Sequence, residues 1–188
     1  MNNEHSHTED NSIIKIALNL TAACFLSGVI ISSTYAFTAP IAAQEAIKLK
    51  NQAMKELVAS AETFTPVEGK QDWYMAIKDG KVIAYVVPTE SKGYGGTIKM
   101  VAAISPEGRA LDYKILFHNE TPGLGDKAAH DKFRKQFFGK AAEDLEVVKI
   151  PNEKNIQALT GATITTRAVT KGIKEAVEQV STHIASKK

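Results

Sequence analysis

The apolar positions of this chain form two kinds of pattern, and the first is a continuous run near the N-terminus. No residue between Ile16 and Phe37 is charged. As a helix rising about 1.5 Å per residue, this run would reach roughly 33 Å, which is enough to cross the hydrocarbon core of a bilayer. We expect residues 16–37 to be a transmembrane anchor helix. Residues 1–15 are then a polar tail on the cytoplasmic side, because Lys15 precedes the run.

A cleaved signal peptide is the alternative interpretation of the apolar run. Small residues close the run at positions 33–36, as they do before a cleavage site. The apolar region of a signal peptide is usually only about 7–15 residues long and follows a more basic start. The length of the run therefore favours an uncleaved anchor.

The second pattern is that of β-hairpins, two of which follow each other in the chain. The first is built around the turn sequence Asp79-Gly80, and the second around a turn with proline and glycine at residues 105–109. The four predicted strands are residues 73–77, 82–87, 98–104 and 110–117. We expect them to form an antiparallel sheet with one face to bury.

Helical spacing of apolar residues predicts further segments around this sheet. Residues 38–69 are expected to form a helical stalk, over residues 40–61, followed by a loop. Residues 127–138 are predicted to form a helix that buries its phenylalanines, Phe133, Phe137 and Phe138. Residues 146–150 are expected to be extended.

A final amphipathic helix is predicted to begin between Thr163 and Thr166. Its apolar positions recur with helical period, at Val169, Ile173, Val177, Val180 and Ile184. The predicted fold class is therefore α+β, with one transmembrane helix followed by a folded domain over residues 70–188 that has an antiparallel sheet and flanking helices.

Composition and charge exclude several classes of function. The chain has 188 residues, a net charge of +2 and no block of basic residues, so nothing favours nucleic acid as a partner. Its single cysteine, Cys24, lies in the apolar run, which excludes internal disulfides and cysteine-ligated clusters. The five histidines are scattered, and we predict no metal site.

The segment before the final helix has the chemistry of a phosphate site. Residues 159–163, which we call the threonine loop, combine small residues with hydroxyls. A helix start leaves backbone N–H groups without partners and carries the positive end of the helix dipole. An ordinary helix cap is the alternative, with Thr163, Thr165 or Thr166 accepting a bond from a first-turn amide.

The threonine loop also resembles a known motif. Thr160-Gly161-Ala162-Thr163 is similar to the (Ser/Thr)-Gly-Ala-Thr flavinylation motif of the FMN-binding domain family of RnfG and NqrC, which are membrane redox subunits. In that family the last threonine carries FMN through a phosphoester bond, so the resemblance implies that Thr163 is the acceptor. Gln157 stands where the family usually has an aspartate.

Two glycine-containing loops extend this resemblance. The glycine loop, residues 93–96, and the proline loop, residues 120–125, both match stretches of the family, and the proline loop there packs against the flavin ring. Glycine lets a backbone come close to a ligand. The residues expected to bind FMN are Thr163 as the covalent acceptor, with Thr160, Gly161, Ala162, Thr165, Glu120, Thr121, Pro122, Gly123, Leu124, Gly125, Tyr94 and Gly95.

The resemblance implies a function and its partners. The chain is expected to relay electrons in an Rnf-type ion-translocating ferredoxin:NAD oxidoreductase, as a redox subunit that completes no reaction alone. Its FMN domain would lie on the periplasmic side of the cytoplasmic (inner) membrane, in contact with lipid and with the other Rnf subunits. An NqrC-like subunit of a sodium-translocating NADH:quinone reductase, a flavin-bearing sensor and a non-redox, membrane-tethered binding module are the alternatives.

The chemistry of attachment points to a further partner. A threonine hydroxyl is a weak nucleophile without a neighbouring base, and neither His nor Asp adjoins Thr163 in sequence. The resemblance implies a separate magnesium-dependent flavin transferase of the ApbE type, which moves FMN from FAD to the threonine. No residue is predicted to be catalytic, and we expect the carboxylate of Glu120 to be solvated at a strand end.

Overall fold

The computed structural model describes residues 6–148, 150, 152 and 154–187, with only the backbone for residues 6–12. The chain divides into two compact units, one ending at Lys48 and the other beginning at Leu49. Residues 1–5 of the predicted tail lie outside the described residues. The predicted domain boundaries stay a prediction.

Helix α1 spans Ser6–Leu57 and contains the predicted anchor. Its segment Ile13–Leu57 is long and apolar enough to cross a membrane, with a mean hydropathy of 1.9 in its most apolar window. The hydroxyls in this segment donate to carbonyls one turn earlier, as Ser27 does to Ala23 at 2.8 Å and Thr34 to Ile30 at 2.9 Å. These bonds satisfy the hydroxyl donors inside the helix, as a lipid environment requires.

The unit from Leu49 onward is built on a five-stranded antiparallel sheet in the order β1-β2-β3-β4-β5. The strands are β1 Thr63–Pro66, β2 Tyr74–Lys78, β3 Lys81–Lys92, β4 Thr97–Ile104 and β5 Ala110–Phe117. Both predicted hairpins and the α+β class are confirmed. The expectation of four strands was wrong, because the predicted loop contains β1, which pairs with β2.

The first hairpin has the turn that its sequence predicts. Asp79 and Gly80 have φ angles of 49° and 71°. Positive φ at both central residues is the mark of a type I′ turn, whose twist matches that of the flanking strands. Local chemistry therefore decides where β2 ends and β3 begins.

The expectation of one buried face was also wrong, because both faces of the sheet are covered. Helix α3, Thr163–Ala185, packs on β3 and β4 and buries its predicted stripe, except that Ile184 is only half-buried. The helix comes so close at Gly172 that a Cβ there would lie 2.7 Å from Met100 Cε. On the other face, Met54 and Val58 pack against alternate residues of β2, β3 and β4.

The predicted helix over residues 127–138 is broken into short pieces. These are a 3₁₀ turn at Gly125–Ala129, the helix α2 at Asp131–Arg134 and a second 3₁₀ turn at Lys135–Phe137. The break comes at His130, whose backbone is extended at φ −80° and ψ 145°. As a result Phe133 and Phe137 are buried, whereas Phe138 is 70% exposed, contrary to the prediction.

The chain reaches α3 through a small parallel ladder. After a 3₁₀ turn at Ala142–Asp144, strand β6, Val147–Val148, pairs with β7, Ile156–Gln157. Gln136 accepts a bond from the backbone N–H of Gln157 at 2.8 Å, which holds β7 beside the broken helix. Hydrogen bonds therefore hold β7, which leads into the threonine loop and α3.

Candidate functional site

The three loops singled out in the sequence meet around one cavity of about 620 Å³. Its volume lies within the range of roughly 300–1,000 Å³ that is usual for small-molecule sites. We call it the threonine cavity. Its lining residues are Tyr94, Glu120, Thr121, Leu124, Gly125, Gly161, Ala162, Thr163, Ile164 and Thr165.

The threonine loop places the start of α3 at this cavity. Gly161 has φ +77°, a conformation that glycine adopts without strain. The residue before the helix is Ala162, which provides no side-chain cap. The first amides of the helix, beginning at Thr163, therefore stand at the cavity wall without the capping hydroxyl of the alternative interpretation.

Thr166 holds the threonine loop in place. Its buried hydroxyl donates to the carbonyl of Ala162 at 2.9 Å and accepts from the N–H of Leu159 at 3.1 Å. From the sequence we expected this threonine only as a possible helix cap. A hydroxyl in the first turn of a helix after a glycine-containing loop is the signal that could have identified its supporting role.

Glu120, in the proline loop, connects to the glycine loop and to the first turn of α3, contrary to the expectation of a solvated carboxylate. Its side chain is only 6% exposed. One carboxylate oxygen, Oε1, accepts from the N–H of Gly95 at 2.9 Å, and the other, Oε2, accepts from the buried hydroxyl of Thr165. The chain turns inward after β5 ends at Phe117, and this turn buries the carboxylate between the glycine loop and α3.

Glycine is required where these loops approach each other. A Cβ at Gly95 would overlap the carbonyl oxygen of Asn119, and a Cβ at Gly125 would lie 2.8 Å from the hydroxyl oxygen of Thr165. These two glycines therefore let different segments of the protein come close to each other, whereas the sequence predicted close approach to a ligand. This close approach shapes the cavity before any ligand is considered.

The proline loop is a hydrogen-bonded turn attached to the sheet. The N–H groups of Leu124 and Gly125 both donate to the carbonyl of Thr121 at 3.1 Å. Just beyond it, the buried hydroxyl of Tyr113 on β5 donates to the carbonyl of Ala128 at 2.6 Å, and burial raises the pKa of that phenol. These bonds fix the loop relative to β5.

The carboxylate of Asp126 follows the proline loop directly in the chain. The backbone of Gly123 is the main cause that lowers the pKa of Asp126, and the backbone of Lys127 lowers it less. The ionised carboxylate is the better acceptor from backbone N–H groups.

Some predicted residues do not line the threonine cavity. Gly95, Pro122 and Gly123 lie in its loops without forming its wall, and Thr160 lines a different cavity. Ile164, which the sequence analysis did not select, does line it. Its position directly after Thr163, at the start of the helix, could have indicated that it lines the cavity.

The second cavity, which also has a volume of about 620 Å³, adjoins the other end of the threonine loop. We call it the basic cavity. Its lining residues are Lys127, His130, Lys132, Phe133, Gln136, Gln157, Ala158, Leu159 and Thr160. By contrast, Glu120 is the single side chain with a full charge among the residues described as lining the threonine cavity.

The threonine cavity fits a flavin phosphate ester in its chemistry. The start of α3 supplies amides for a phosphate. Exposed apolar side chains at the cavity, Tyr94, Leu124 and Ile164, offer surface for an aromatic ring. The residues present are therefore compatible with FMN.

Comparisons with known proteins agree with this chemistry. The family described as FMN-binding domain matches residues 93–178, a range that contains all three loops. The chain is 55% identical over 180 residues to the G subunit of the proton-translocating ferredoxin:NAD(+) oxidoreductase complex of Clostridium ljungdahlii, covering 95% of this chain and 97% of that protein. The chain belongs to the RnfG family, the G subunits of ion-translocating oxidoreductase complexes. The family resemblance found in the sequence is confirmed.

A second RnfG protein is less similar to this chain. The G subunit of the Na(+)-translocating ferredoxin:NAD(+) oxidoreductase complex of Acetobacterium woodii is 38% identical over 65% of this chain and 61% of its own length. Among solved structures, Shewanella oneidensis NqrC matches with a TM-score of 0.52 at 20% identity, over 68% of this chain and 73% of that one. This likeness shows that the chain shares its fold with NqrC.

Proposed function

We propose that this protein is the electron-carrying subunit of a membrane-bound ion-translocating ferredoxin:NAD oxidoreductase complex, and that it relays electrons through FMN joined to Thr163 by a phosphoester bond. The observation that carries the proposal is the position of Thr163. It is the first residue of α3, it lies at the wall of the threonine cavity, and it ends the flavinylation motif. The 55% identity to a subunit of such a complex supports the choice of complex.

The residues around Thr163 have separate roles in holding FMN. The backbone amides at the start of α3 receive the phosphate, which carries one negative charge once it is a diester. Tyr94, Leu124 and Ile164 supply apolar surface for the ring. When bound, FMN accepts and donates electrons, and the protein positions it and adjusts its potential.

Attachment needs a separate flavin transferase, the ApbE-type enzyme expected from the sequence. The described bonds of the nearby Glu120 carboxylate go to Gly95 and Thr165, so Glu120 is not placed as a base for Thr163. The Thr163 side chain is half-buried and borders an open cavity, which leaves it within reach of a modifying enzyme.

The proposed location is the cytoplasmic (inner) membrane, with one pass and the FMN domain on the extracytoplasmic side. The apolar length of α1 supports the anchor, and Lys15 at its N-terminal end supports a cytoplasmic N-terminus. A covalent bond suits this location, since a reversibly bound cofactor facing the outside is lost by dilution. The other subunits of the complex and membrane lipid are the proposed neighbours.

An NqrC-like role in a sodium-translocating NADH:quinone reductase is the second candidate. The fold shared with Shewanella oneidensis NqrC favours it. The identity over nearly the full length of an RnfG protein favours the first candidate. Both candidates use the same flavin chemistry at Thr163.

The test is intact-mass spectrometry of the full chain co-expressed with an active flavin transferase. We expect an FMN-sized mass increment and in-gel flavin fluorescence after denaturation, and the loss of both in Thr163→Val. Trypsin releases residues 155–167 between Lys154 and Arg167, so fragmentation of that peptide locates the acceptor. Thr182→Val, an exposed threonine about 28 Å further along α3, is the matched control and keeps the modification.

Two outcomes would contradict the proposal. A native chain that stays unmodified beside a transferase that modifies another substrate would support the non-redox binding module, with Gln157 the first residue to examine. An increment that persists in Thr163→Val would place the acceptor elsewhere.

A further inference from the structure

The carboxylate of Glu120 is a charge that the proposed electron relay does not yet use. We propose that Glu120 lowers the reduction potential of the attached FMN, acting as a fixed negative charge at the wall of the threonine cavity. This inference rests on the proposed function. Glu120 is here a positioning and tuning residue, and it takes up no electron itself.

The first step is that the charge is held in one place. Glu120 is 6% exposed and lines the cavity. Its two oxygens accept from Gly95 and from Thr165, which belong to different elements. A Cβ at Gly93 would overlap Oε1, so the glycine loop packs directly on the carboxylate and leaves it little freedom.

The second step is that no cationic side chain lines the cavity in the part of the chain that the structure describes. Among the residues described as lining it there is no Lys, Arg or His. Glu120 takes part in none of the ion pairs found between described residues. The imidazole of the nearby His118 accepts a hydrogen bond from the backbone N–H of Glu120 through Nδ1 at 3.2 Å. In that bond the ring is an acceptor and donates nothing to the carboxylate.

The third step is electrostatic. Reduction of a bound FMN would add negative charge at the cavity to the extent that proton uptake does not neutralise it, and the fixed carboxylate of Glu120 would repel that charge. Repulsion between charges is stronger at a partly buried site than in water, because the effective dielectric constant is lower. The reduced form is therefore disfavoured relative to the oxidised form, which is a lower potential. Glu120 is unchanged by the transfer, so the electron lost by the donor is the electron gained by FMN.

The same two bonds give the residue a positioning role as well. A neutral amide in place of the carboxylate keeps the shape but removes the charge, whereas a shorter acid keeps the charge but moves it. Comparing these changes separates the electrostatic effect from displacement of the loops. Three variants therefore belong together, Glu120→Gln, Glu120→Asp and Glu120→Asn.

The experiment measures the midpoint potential of the attached flavin by spectroelectrochemical titration of the full chain, after intact mass has established the fraction that carries FMN. We expect Glu120→Gln to shift the potential to a more positive value and Glu120→Asp to stay close to the native chain. Glu178→Gln is the matched control, since it removes the same charge from an exposed position about 22 Å along α3 from Thr163, and it leaves the potential unchanged.

The outcomes separate this inference from the proposed function. A native chain without FMN refutes the proposed function and this inference with it, and is recognised by mass alone. Attached FMN with the same potential in Glu120→Gln as in the native chain overturns the inference only. Equal shifts in Glu120→Asp and Glu120→Gln also overturn it, because the charge would not be the cause.

A second matched pair of variants is needed in case Glu120→Gln carries too little FMN for its potential to be measured. Glu120→Asp and Glu120→Asn differ in charge and hardly in size, and we expect the asparagine variant to have the more positive potential. If all three variants lose FMN while the native chain carries it, Glu120 holds the loops together and the tuning role is refuted.

Discussion

The two cavities beside the threonine loop have the same volume, about 620 Å³ each, but opposite electrostatic character. Leu159 and Thr160 line the basic cavity, together with two lysines and a histidine. The next residues of the loop, from Gly161 to Thr163, line the threonine cavity, whose described wall carries one carboxylate and no cationic side chain. From Thr160 to Gly161 the chain therefore passes from a cavity with cationic side chains to one whose described wall has a single carboxylate.

Charge alone would therefore predict the wrong cavity for a phosphate. Long-range attraction favours the basic cavity, where Lys127 and Lys132 lie. Under the proposed function the hydroxyl of Thr163 decides instead, because a covalent bond forms only where the acceptor is. The amides at the start of α3 then serve the phosphate without a cationic side chain.

The largest expected effect comes from displacing the glycine loop, which lies beside the threonine cavity. In Gly95→Ala the new methyl group would overlap the carbonyl oxygen of Asn119, so the loop must move away from Glu120. We expect the free energy of unfolding of the purified full chain in detergent, measured by chemical denaturation, to fall by about 3 kcal/mol. We also expect FMN attachment, measured by intact mass, to fall sharply.

Gly69→Ala is the control for this change. Gly69 also has a positive φ, +73°, but has open space around its Cβ position. It is expected to cost about 1 kcal/mol in backbone strain and to leave attachment unchanged. Equal losses of attachment in both variants would show that general destabilisation, not the shape of the threonine cavity, is responsible.

A smaller effect is expected from releasing the loop that separates the two cavities. Thr166→Val keeps the shape of the side chain but leaves the N–H of Leu159 without its acceptor and the carbonyl of Ala162 without the hydroxyl donor. An unmade buried bond costs about 1–3 kcal/mol, and we expect a loss near 2 kcal/mol in chemical denaturation.

Thr182→Val is the matched control on the same helix. Its exposed hydroxyl donates only to the carbonyl of Glu178, one turn earlier. We expect its free energy of unfolding to change by no more than about 0.5 kcal/mol. A loss in Thr166→Val as small as that of the control would mean that the loop is held by its backbone alone.

The smallest effect on FMN attachment is expected from removing charge at the basic cavity. The double variant Lys127→Gln and Lys132→Gln removes two charges from the basic cavity. If the phosphate lies at Thr163, FMN attachment measured by intact mass stays at the native level. The pair Lys78→Gln and Lys81→Gln, at the first hairpin, makes the same change in net charge elsewhere and serves as the control.

A loss of attachment in the first pair and not in the second would reverse the assignment of the cavities. The basic cavity would then take part in loading the cofactor. Retention in both pairs leaves the threonine cavity as the site.

Much of the fold could be predicted because its determinants are local. The Asp79-Gly80 turn needs positive φ at both residues, and the chain shows it at both. The final helix begins at Thr163, within the predicted interval, six residues before the apolar stripe that starts at Val169. The predicted helix at 127–138 is broken at His130, whose backbone is extended, and Phe133 and Phe137 are buried after the break.

Strand β1 also escaped prediction. Its four residues, Thr63–Pro66, include a proline and lie mostly exposed at the sheet edge, so they show no clear alternation. Pairing with β2 creates this strand. Whether residues 63–66 form a strand therefore depends on β2 as well as on their own sequence.

Residues close together in the chain were enough to predict the length of the apolar anchor, the two hairpins, the start of α3 and the threonine motif. The burial of Glu120 is visible only in the folded chain, and so are the different cavities that neighbouring residues of the threonine loop line. The bonds of Glu120 join residues 25 and 45 positions apart, to Gly95 and Thr165. Burial and hydrogen-bond partners at such separations follow from how the sheet and α3 pack, because no local pattern records which loops will meet.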